Sequence, residues 1–146
     1  MIRFDVHGLP APQGSKRAFV RNGKPILTES SRAIAGWRRL IADVAQAHVP
    51  SQPLDGAVQV TLFFRLPVPK SAPKRRRLDA VKRPDLDKLA RGCLDALTGL
   101  MWRDDSQVTD LILHKELAYD APAGVTIWIE EPFLETARLP ERGVRA

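Results

Sequence analysis

The sequence predicts an α+β protein, in which a small mixed β-sheet is covered on one face by two main helices. Two periodicities support this prediction. Several short segments alternate apolar with polar residues, as half-buried strands do. Two longer segments repeat apolar residues at helical spacing, as amphipathic helices do. The chain of 146 residues is expected to form one domain over residues 1–132, followed by a tail over residues 133–146.

The N-terminal part begins with an expected strand over residues 2–7, where IRFDVH alternates in character. Residues 8–17 follow as a loop rich in proline and glycine that ends on Lys16 and Arg17. Such a loop can hold a phosphate, but by itself it is more typical of a solvated connector. A small hairpin is expected next, because Asn22-Gly23 separates two short β-type segments.

The first helix is expected to begin after Ser30 or Ser31, either of which suits an N-cap, and to end near His48. A strand over residues 57–66 follows a proline-rich connector. The helix carries an apolar stripe that we expect to be buried, so its tryptophan is interpreted as a core residue and not as a base-stacking platform. The stripe consists of Ile34, Trp37, Ile41, Val44 and His48.

Residues 67–84 break the regular pattern, with four prolines and the basic run Lys74, Arg75, Arg76 and Arg77. We expect this segment not to pack in the core. A solvated loop or a localisation signal is the ordinary explanation of such a run. Because the run directly precedes an acidic helix, an arm that lies over a nucleic acid backbone is the better interpretation.

The second helix is expected over about residues 85–97, where apolar residues recur at helical spacing. Asp85 is placed at the N-cap and Asp87 in the first turn, and Gly99 lies where helices often end in a left-handed residue. The single cysteine, Cys93, falls on the apolar side, so we expect a buried structural thiol and not a nucleophile. A lone cysteine also excludes an intrachain disulfide and is typical of a reducing compartment.

Two further strands are expected at residues 108–117 and 125–130, with YDAPAG between them as an antiparallel connection. The N-terminus lacks the pattern of a signal peptide, and no segment is apolar enough to predict a membrane span. We therefore expect a soluble protein of the cytoplasm.

Charge is distributed unevenly along this chain, whose net charge is +6. Residues 70–83 hold seven basic residues and one acidic residue, whereas residues 84–130 hold four basic and nine acidic residues. A basic protein with an acidic centre beside its most basic segment is expected to bind a polyanion and to use a metal ion to approach it. Basic ribosome-associated proteins share the first property but have no need of the acidic centre.

Two pairs of carboxylates form this acidic centre, Asp85 with Asp87 and Asp104 with Asp105. If the loop after Gly99 folds back, all four would gather at the N-terminal end of the helix and repel one another unless a cation intervened. Oxygen-only ligands of this kind suit Mg²⁺ or Mn²⁺. The ordinary alternative is that the first pair caps the helix and the second pair forms a turn, and spacing alone does not decide between them.

The segment KRPDLDKLARGCLDALTGLMWRDDSQV, residues 82–108, resembles the RusA family of Holliday junction resolvases, endonucleases common in phages and prophages. The family's hallmark is a D-[LI]-D-N-L helix that continues to F/L-D-A-L and is followed by W-x-D-D-x-Q-V. Here these motifs read DLDKL, LDAL and WRDDSQV. The N-terminal PAPQGSKRAFV and the first helix extend the resemblance over roughly residues 2–130.

The resemblance implies a homodimeric, Mg²⁺-dependent nuclease that makes paired nicks in four-way DNA junctions, with Mn²⁺ as an alternative metal. It also implies that the cell is a bacterium or a phage-infected host. The family's lysine falls on Arg91 here, and its usual asparagine falls on Lys88. Either residue is a candidate for the lysine's role, although arginine does not donate a proton near neutral pH. By motif position the expected metal ligands are Asp85, Asp87 and Asp105, with Asp104 as a neighbouring candidate.

Contacts with the DNA backbone are expected from the basic groups around the acidic helix. These groups are Lys16, Arg17, Lys74, Arg75, Arg76, Arg77, Lys82 and Arg83. The competing hypothesis is a dimer that binds DNA junctions without cutting them, in which Asp85 and Asp87 only cap a helix. Binding of a divalent metal distinguishes the two hypotheses, because only the nuclease needs the aspartates as ligands.

Overall fold

The fold of the protein is given by a computed structural model that describes residues 1–14, 17–28 and 32–132. Within these residues it has six strands and two α-helices, in the order that the sequence predicts. The expected N-cap at Ser30 or Ser31, the predicted contact of Lys16 and the expected tail over residues 133–146 lie outside the described residues.

A four-stranded mixed sheet forms the frame of the protein. Its strands are β1 (Ile2–His7), β4 (Val58–Leu66), β5 (Val108–Leu117) and β6 (Gly124–Glu130), and they lie side by side in the order β1-β6-β4-β5. β6 pairs antiparallel with both β1 and β4, whereas β4 and β5 run parallel. β5 therefore forms one edge of the sheet. The predicted α+β class with a small mixed sheet is confirmed.

The segment between β5 and β6 differs from a simple hairpin. β6 does run antiparallel to β5, but it lies on the far side of β4, so the two strands are not neighbours. The chain crosses the end of β4 in residues 118–123 to reach that position. A side-by-side hairpin would have placed β6 at the edge, where its apolar sequence would lose a pairing partner on one side.

The predicted hairpin is present as a separate two-stranded sheet formed by β2 (Arg17–Arg21) and β3 (Lys24–Thr28). Asn22 and Gly23 form its turn, with φ angles of 51° and 74°. Positive φ at both central residues is the geometry that favours Asn-Gly in two-residue hairpin loops.

Two helices cover one face of the sheet, α1 (Arg32–Ala45) and α2 (Leu86–Leu97). Cys93 is fully buried on α2, and burial raises the pKa of its thiol, which agrees with the expected structural role. The core between helices and sheet is formed by large apolar side chains, including Ile34, Trp37, Ile41, Leu62, Phe64, Leu89, Leu97, Trp102 and Ile127.

The C-terminal end of the first helix corrects one prediction. The buried stripe ends at Ala45, whereas Val44 is only half-buried and His48 is exposed. After Ala45 the chain tightens into a 3-10 turn, Gln46–His48, which changes the angular position of every following side chain. The imidazole of His48 instead stacks on Phe4 of β1, with ring centroids 4.8 Å apart.

We predict that Gly124→Ala destabilises the protein by about 2–4 kcal/mol in urea unfolding. Gly124 has a φ of 153°, and a Cβ at this position would lie 2.0 Å from the carbonyl oxygen of Val6, inside the β1–β6 pairing. Gly36→Ala is the matched control, because Gly36 lies in α1 and a Cβ there would have no described atom within 4 Å beyond its own helix. We expect it to stabilise the protein by up to about 1 kcal/mol, and equal stabilities of the two variants would contradict the prediction.

Candidate active site

The first carboxylate pair lies at the N-terminal end of α2, exposed to solvent. Asp85 is the N-cap residue with an extended backbone, but its side chain makes no capping hydrogen bond to the described part of the chain. Its carboxylate lies 3.6 Å from the ammonium of Lys88. Asp87 follows in the first turn of the helix. The side chain of Asp85 is thus not used for capping, and its oxygen atoms are directed at a cation instead.

A cleft of about 500 Å³ adjoins Asp85. One wall is the proline-rich loop of residues 8–14, and the other is the segment that leads into α2. The loop is fixed to the helix by a hydrogen bond of 3.1 Å from the backbone N–H of Gln13 to the carbonyl of Lys88. The loop that the sequence predicts as a connector or a phosphate site therefore borders the candidate metal ligands. The cleft is lined by Pro10, Pro12, Gly14, Arg83, Pro84, Asp85 and Lys88.

The second carboxylate pair lies at the other end of α2. Asp105 accepts a hydrogen bond from the hydroxyl of Thr98, the residue that caps the C-terminal end of the helix. Because α2 has 12 residues, about 18 Å of helix separates the two pairs. The condition under which Asp104 and Asp105 would return to the N-terminal end, a loop after Gly99 that folds back, is not met within a single chain. Among the described residues, no three potential ligands of the His, Cys, Asp or Glu type lie together.

Asp104 has a structural role at its end of the helix. Its carboxylate accepts a hydrogen bond of 2.8 Å from the backbone N–H of Ser106, and this bond lowers its pKa. The side chain of Gln107 accepts a hydrogen bond of 2.9 Å from the backbone N–H of Asp104, which completes a capping box around a short 3-10 turn. The turn holds the exposed carboxylate of Asp105 in place directly before β5.

Sequence reasoning missed Lys115, which comes from β5. Its ammonium donates hydrogen bonds of 3.0 Å to the carbonyl of Lys82 and 2.9 Å to the carbonyl of Pro84, directly before Asp85. A signal was present in the sequence, since Lys115 interrupts the apolar side of a strand that otherwise reads Leu111, Leu113 and Leu117. A lysine at such a position needs acceptors near the core, and the two carbonyls supply them.

The basic arm, residues 67–84, is held against the loop between β5 and β6. Arg77 donates two hydrogen bonds of 2.6 Å each to the carboxylate of Asp120, and this pairing lowers the pKa of Asp120. The backbone N–H of Leu78 donates to the hydroxyl of Tyr119 at 3.0 Å, and the guanidinium of Arg77 lies over the ring of Tyr119. The other predicted cations of the arm are exposed, namely Lys74, Arg75, Arg76, Lys82 and Arg83.

The remaining predicted site residues are placed as follows. Arg91 is exposed one turn into α2, while Lys88 is the cation that contacts Asp85. Arg17 begins β2, and the position of its side chain lies outside what the structure describes, as does Lys16.

Comparison with known proteins bears on what this arrangement does. The family model named Endodeoxyribonuclease RusA matches residues 8–130, which is most of the chain. The chain belongs to the RusA family. The match spans the proline-rich loop, both helices, the basic arm and all four candidate carboxylates, so the resemblance seen in the central motif extends to the whole described site. The RusA family is a family of endodeoxyribonucleases.

A curated relative is similar over nearly the full length of both chains. It is the uncharacterized protein YqaN of Bacillus subtilis (strain 168), 33% identical over 139 residues, which cover 89% of this chain and 96% of the relative. Its name assigns it no activity. In the described part of this RusA-family chain, no helix has the length and apolar character that crossing a membrane requires.

We predict that Asp120→Asn releases the basic arm and makes trypsin cut within residues 74–77 up to about five-fold faster in the native protein. The reason is that Arg77 loses the carboxylate that accepts both of its hydrogen bonds. Native-state proteolysis followed by mass spectrometry measures the rate. Asp79→Asn removes an exposed carboxylate from the arm itself and is expected to leave the rate unchanged. Equal rates in both variants would show that the pairing does not hold the arm.

Proposed function

We propose that this protein is a structure-selective endodeoxyribonuclease that resolves four-way DNA junctions by metal-dependent hydrolysis of paired phosphodiester bonds, acting as a homodimer. Membership of the RusA family supports this function. The observation that carries it is the pair Asp85 and Asp87, exposed at the start of α2 beside a cleft that Arg83 and Lys88 also line, with the carboxylate of Asp85 not used as a helix cap.

The residues at the start of α2 fit a hard divalent cation. Mg²⁺ is usually held by one or two carboxylates together with water and substrate phosphates, and Asp85 and Asp87 supply two carboxylates one residue apart. Mn²⁺ fits the same donors. When bound, such an ion polarises the phosphate and lowers the pKa of a coordinated water.

The protein's own groups bind and orient the DNA. The exposed cations of the basic arm, which include Lys82 and Arg83, contact phosphates without reading sequence, which places the backbone over the cleft. Lys88, beside Asp85, neutralises charge on the phosphate that approaches the ligands. Arg91 does the same from the next turn, but as an arginine it does not act as a proton donor. Arg77, which is bound to Asp120, positions the arm more than it contacts DNA.

We further propose that a second copy of the chain completes the metal site. β5 is an edge strand of ten residues in which Leu111 and Ile112 are 42% and 52% exposed, an unusual surface for a monomer. Antiparallel pairing of two such edges about a two-fold axis joins the sheets and covers these side chains. The helix-covered faces of both protomers then lie on the same side.

This pairing would bring the two kinds of carboxylate together. Asp105 begins the 3-10 turn that leads into the N-terminal end of β5, while Lys115 near the C-terminal end touches Pro84, the neighbour of Asp85. In an antiparallel pair of β5 strands, the first end of one strand lies beside the last end of the other. Asp105 of one protomer would therefore approach Asp85 and Asp87 of its partner, with Asp104 holding the turn that presents it.

We predict that the protein nicks a synthetic four-way junction symmetrically with Mg²⁺ and not with EDTA, and leaves linear duplex of the same sequence intact. Asp87→Asn should lower the cleavage rate by more than about 100-fold, because even changes outside the ligand shell commonly cost 10–100-fold. Binding of the junction should be retained, since the variant removes a negative charge near phosphate. Denaturing gels and a mobility-shift assay measure the two properties.

The matched control is Asp43→Asn, which removes an exposed carboxylate from α1 and should cleave like the wild type. Tight junction binding without cleavage in Mg²⁺ or Mn²⁺ would instead indicate a binding protein whose aspartates are structural.

We predict that two inactive variants, Asp87→Asn and Asp105→Asn, complement each other when mixed under conditions of subunit exchange. If each site uses Asp87 of one protomer and Asp105 of the other, every mixed dimer has one site with both residues intact. Random exchange should restore about a quarter of the wild-type nicking, on one strand only per dimer.

The control mixture is Asp85→Asn with Asp87→Asn. Both changes lie at the same end of α2, so both sites of their mixed dimer are damaged and no activity should return. Failure of the first mixture to regain nicking, with exchange verified by mass spectrometry, would show that the second carboxylate pair is not shared between protomers.

A further inference from the structure

We propose that Lys115 is the positioning residue of the active site: its ammonium fixes the backbone that presents Asp85 and Asp87 to the metal. The inference rests on the proposed function and deepens it. The observation is that one ammonium donates hydrogen bonds to two carbonyl groups among the last residues before α2, that of Lys82 at 3.0 Å and that of Pro84 at 2.9 Å. Because a lysine ammonium can only donate hydrogen bonds, both contacts pull a carbonyl group of this segment towards the same nitrogen atom.

The rigidity of this contact comes from the sheet. Lys115 lies opposite Phe64 in the parallel pairing of β5 with β4, and Phe64 is fully buried. Lys115 itself is half-buried on the helix-covered side of the sheet. The position of its Cα is therefore set by β-sheet pairing and not by the arm, whose basic residues are exposed.

The segment that Lys115 holds has few hydrogen-bond donors of its own. Arg83 is exposed and Pro84 has no N–H to donate, so this stretch of chain has few groups of its own that can anchor it. Asp85 follows at once, and its side chain caps no backbone N–H of the described helix. The two bonds to Lys115 thus fix the point at which the chain enters α2. Lys88 and Arg91 cannot serve this purpose, because both are carried by α2 itself.

Positioning matters here because metal ligands and a scissile phosphate tolerate little displacement. Functional groups need to be held within about 0.5 Å of the productive geometry, and a displacement of about 1 Å can cost 100-fold in rate. Lys115 also lies on the strand that connects the two groups of carboxylates in the proposed shared site. β5 begins directly after the turn that presents Asp105, and Lys115 near its other end holds the residues before Asp85.

The test uses Lys115→Cys before and after alkylation with 2-bromoethylamine, which attaches an aminoethyl group to sulfur and restores an ammonium at nearly the length of lysine. Cys93 is the single native cysteine and is fully buried, so the new thiol is the one that reacts in the folded protein. Three properties are measured: the affinity for Mn²⁺ by electron paramagnetic resonance, kcat and KM for a four-way junction, and thermal unfolding.

We expect the unmodified variant to have an Mn²⁺ affinity and a kcat that are each about 10–100-fold lower than those of the wild type. Its KM for the junction should stay within about three-fold of the wild-type value. Alkylation should return both properties towards wild type. Lys24→Met is the charge control: Lys24 is exposed on the hairpin, and its loss should change neither Mn²⁺ affinity nor kcat. Lys115→Met, which has a similar shape without the charge, replaces the cysteine variant if that variant does not fold, and is expected to show the same loss.

Unchanged Mn²⁺ affinity in a folded variant at Lys115 would overturn the inference, as would a change in KM alone. A loss that alkylation does not reverse would show that the position matters for packing and not for its ammonium, and this result would also overturn the inference.

The metal titration separates this inference from the proposed function. If the wild type binds Mn²⁺ but does not cut junctions, the proposed function fails while Mn²⁺ affinity still decides the role of Lys115. If the wild type binds no Mn²⁺, both fail.

Discussion

The parallel pairing of β4 with β5 is the constraint on which the rest of the site depends. Parallel neighbours cannot be joined by a tight turn, so the chain has to return along the full length of the sheet between them. That return includes the basic arm and α2. The helix consequently runs opposite to the strands, and its two ends face the two ends of β5. This topology brings the end of the basic arm, the start of α2 and the C-terminal end of β5 together.

This constraint also explains why the candidate metal site is divided. Asp85 precedes α2 and Asp87 lies in its first turn, whereas Asp104 and Asp105 follow the helix. The length of α2 therefore keeps the two pairs apart within one chain. A two-fold axis beside an exposed strand offers a simple way to bring such ends together, because antiparallel pairing exchanges them. In such a dimer, the full set of carboxylates forms only on assembly, and an isolated protomer would have no complete site with which to cut DNA.

Electrostatics and anchoring act together around the start of α2. The exposed cations Arg83 and Lys88 lie beside Asp85, so attraction to phosphate operates where the carboxylates alone would repel it. Three contacts limit the movement of this region. Arg77 binds Asp120 within the arm, Lys115 binds the last carbonyls before the helix, and the N–H of Gln13 binds the carbonyl of Lys88 across the cleft. A charged arm that is held at these points presents its cations in a defined place.

The sequence by itself determined the elements and the chemistry. Periodicity located the helices and strands to within a few residues, because burial of one face needs a regular spacing of apolar side chains. The D-x-D pair, the second acidic pair and the flanking basic run pointed to the family that comparison then identified. Local rules also fixed the Asn22-Gly23 turn, since its backbone angles depend on those two residues alone.

Only the tertiary structure decided how distant parts meet. The sequence could not show that β6 inserts between β1 and β4, because strand order depends on pairing between segments far apart in the chain. For the same reason it could not show that Asp105 meets Thr98 at the C-terminal end of α2, or that Lys115 reaches the carbonyl groups before Asp85. Composition and spacing specify which groups a site contains, whereas the topology of the sheet specifies which of them one chain can bring together.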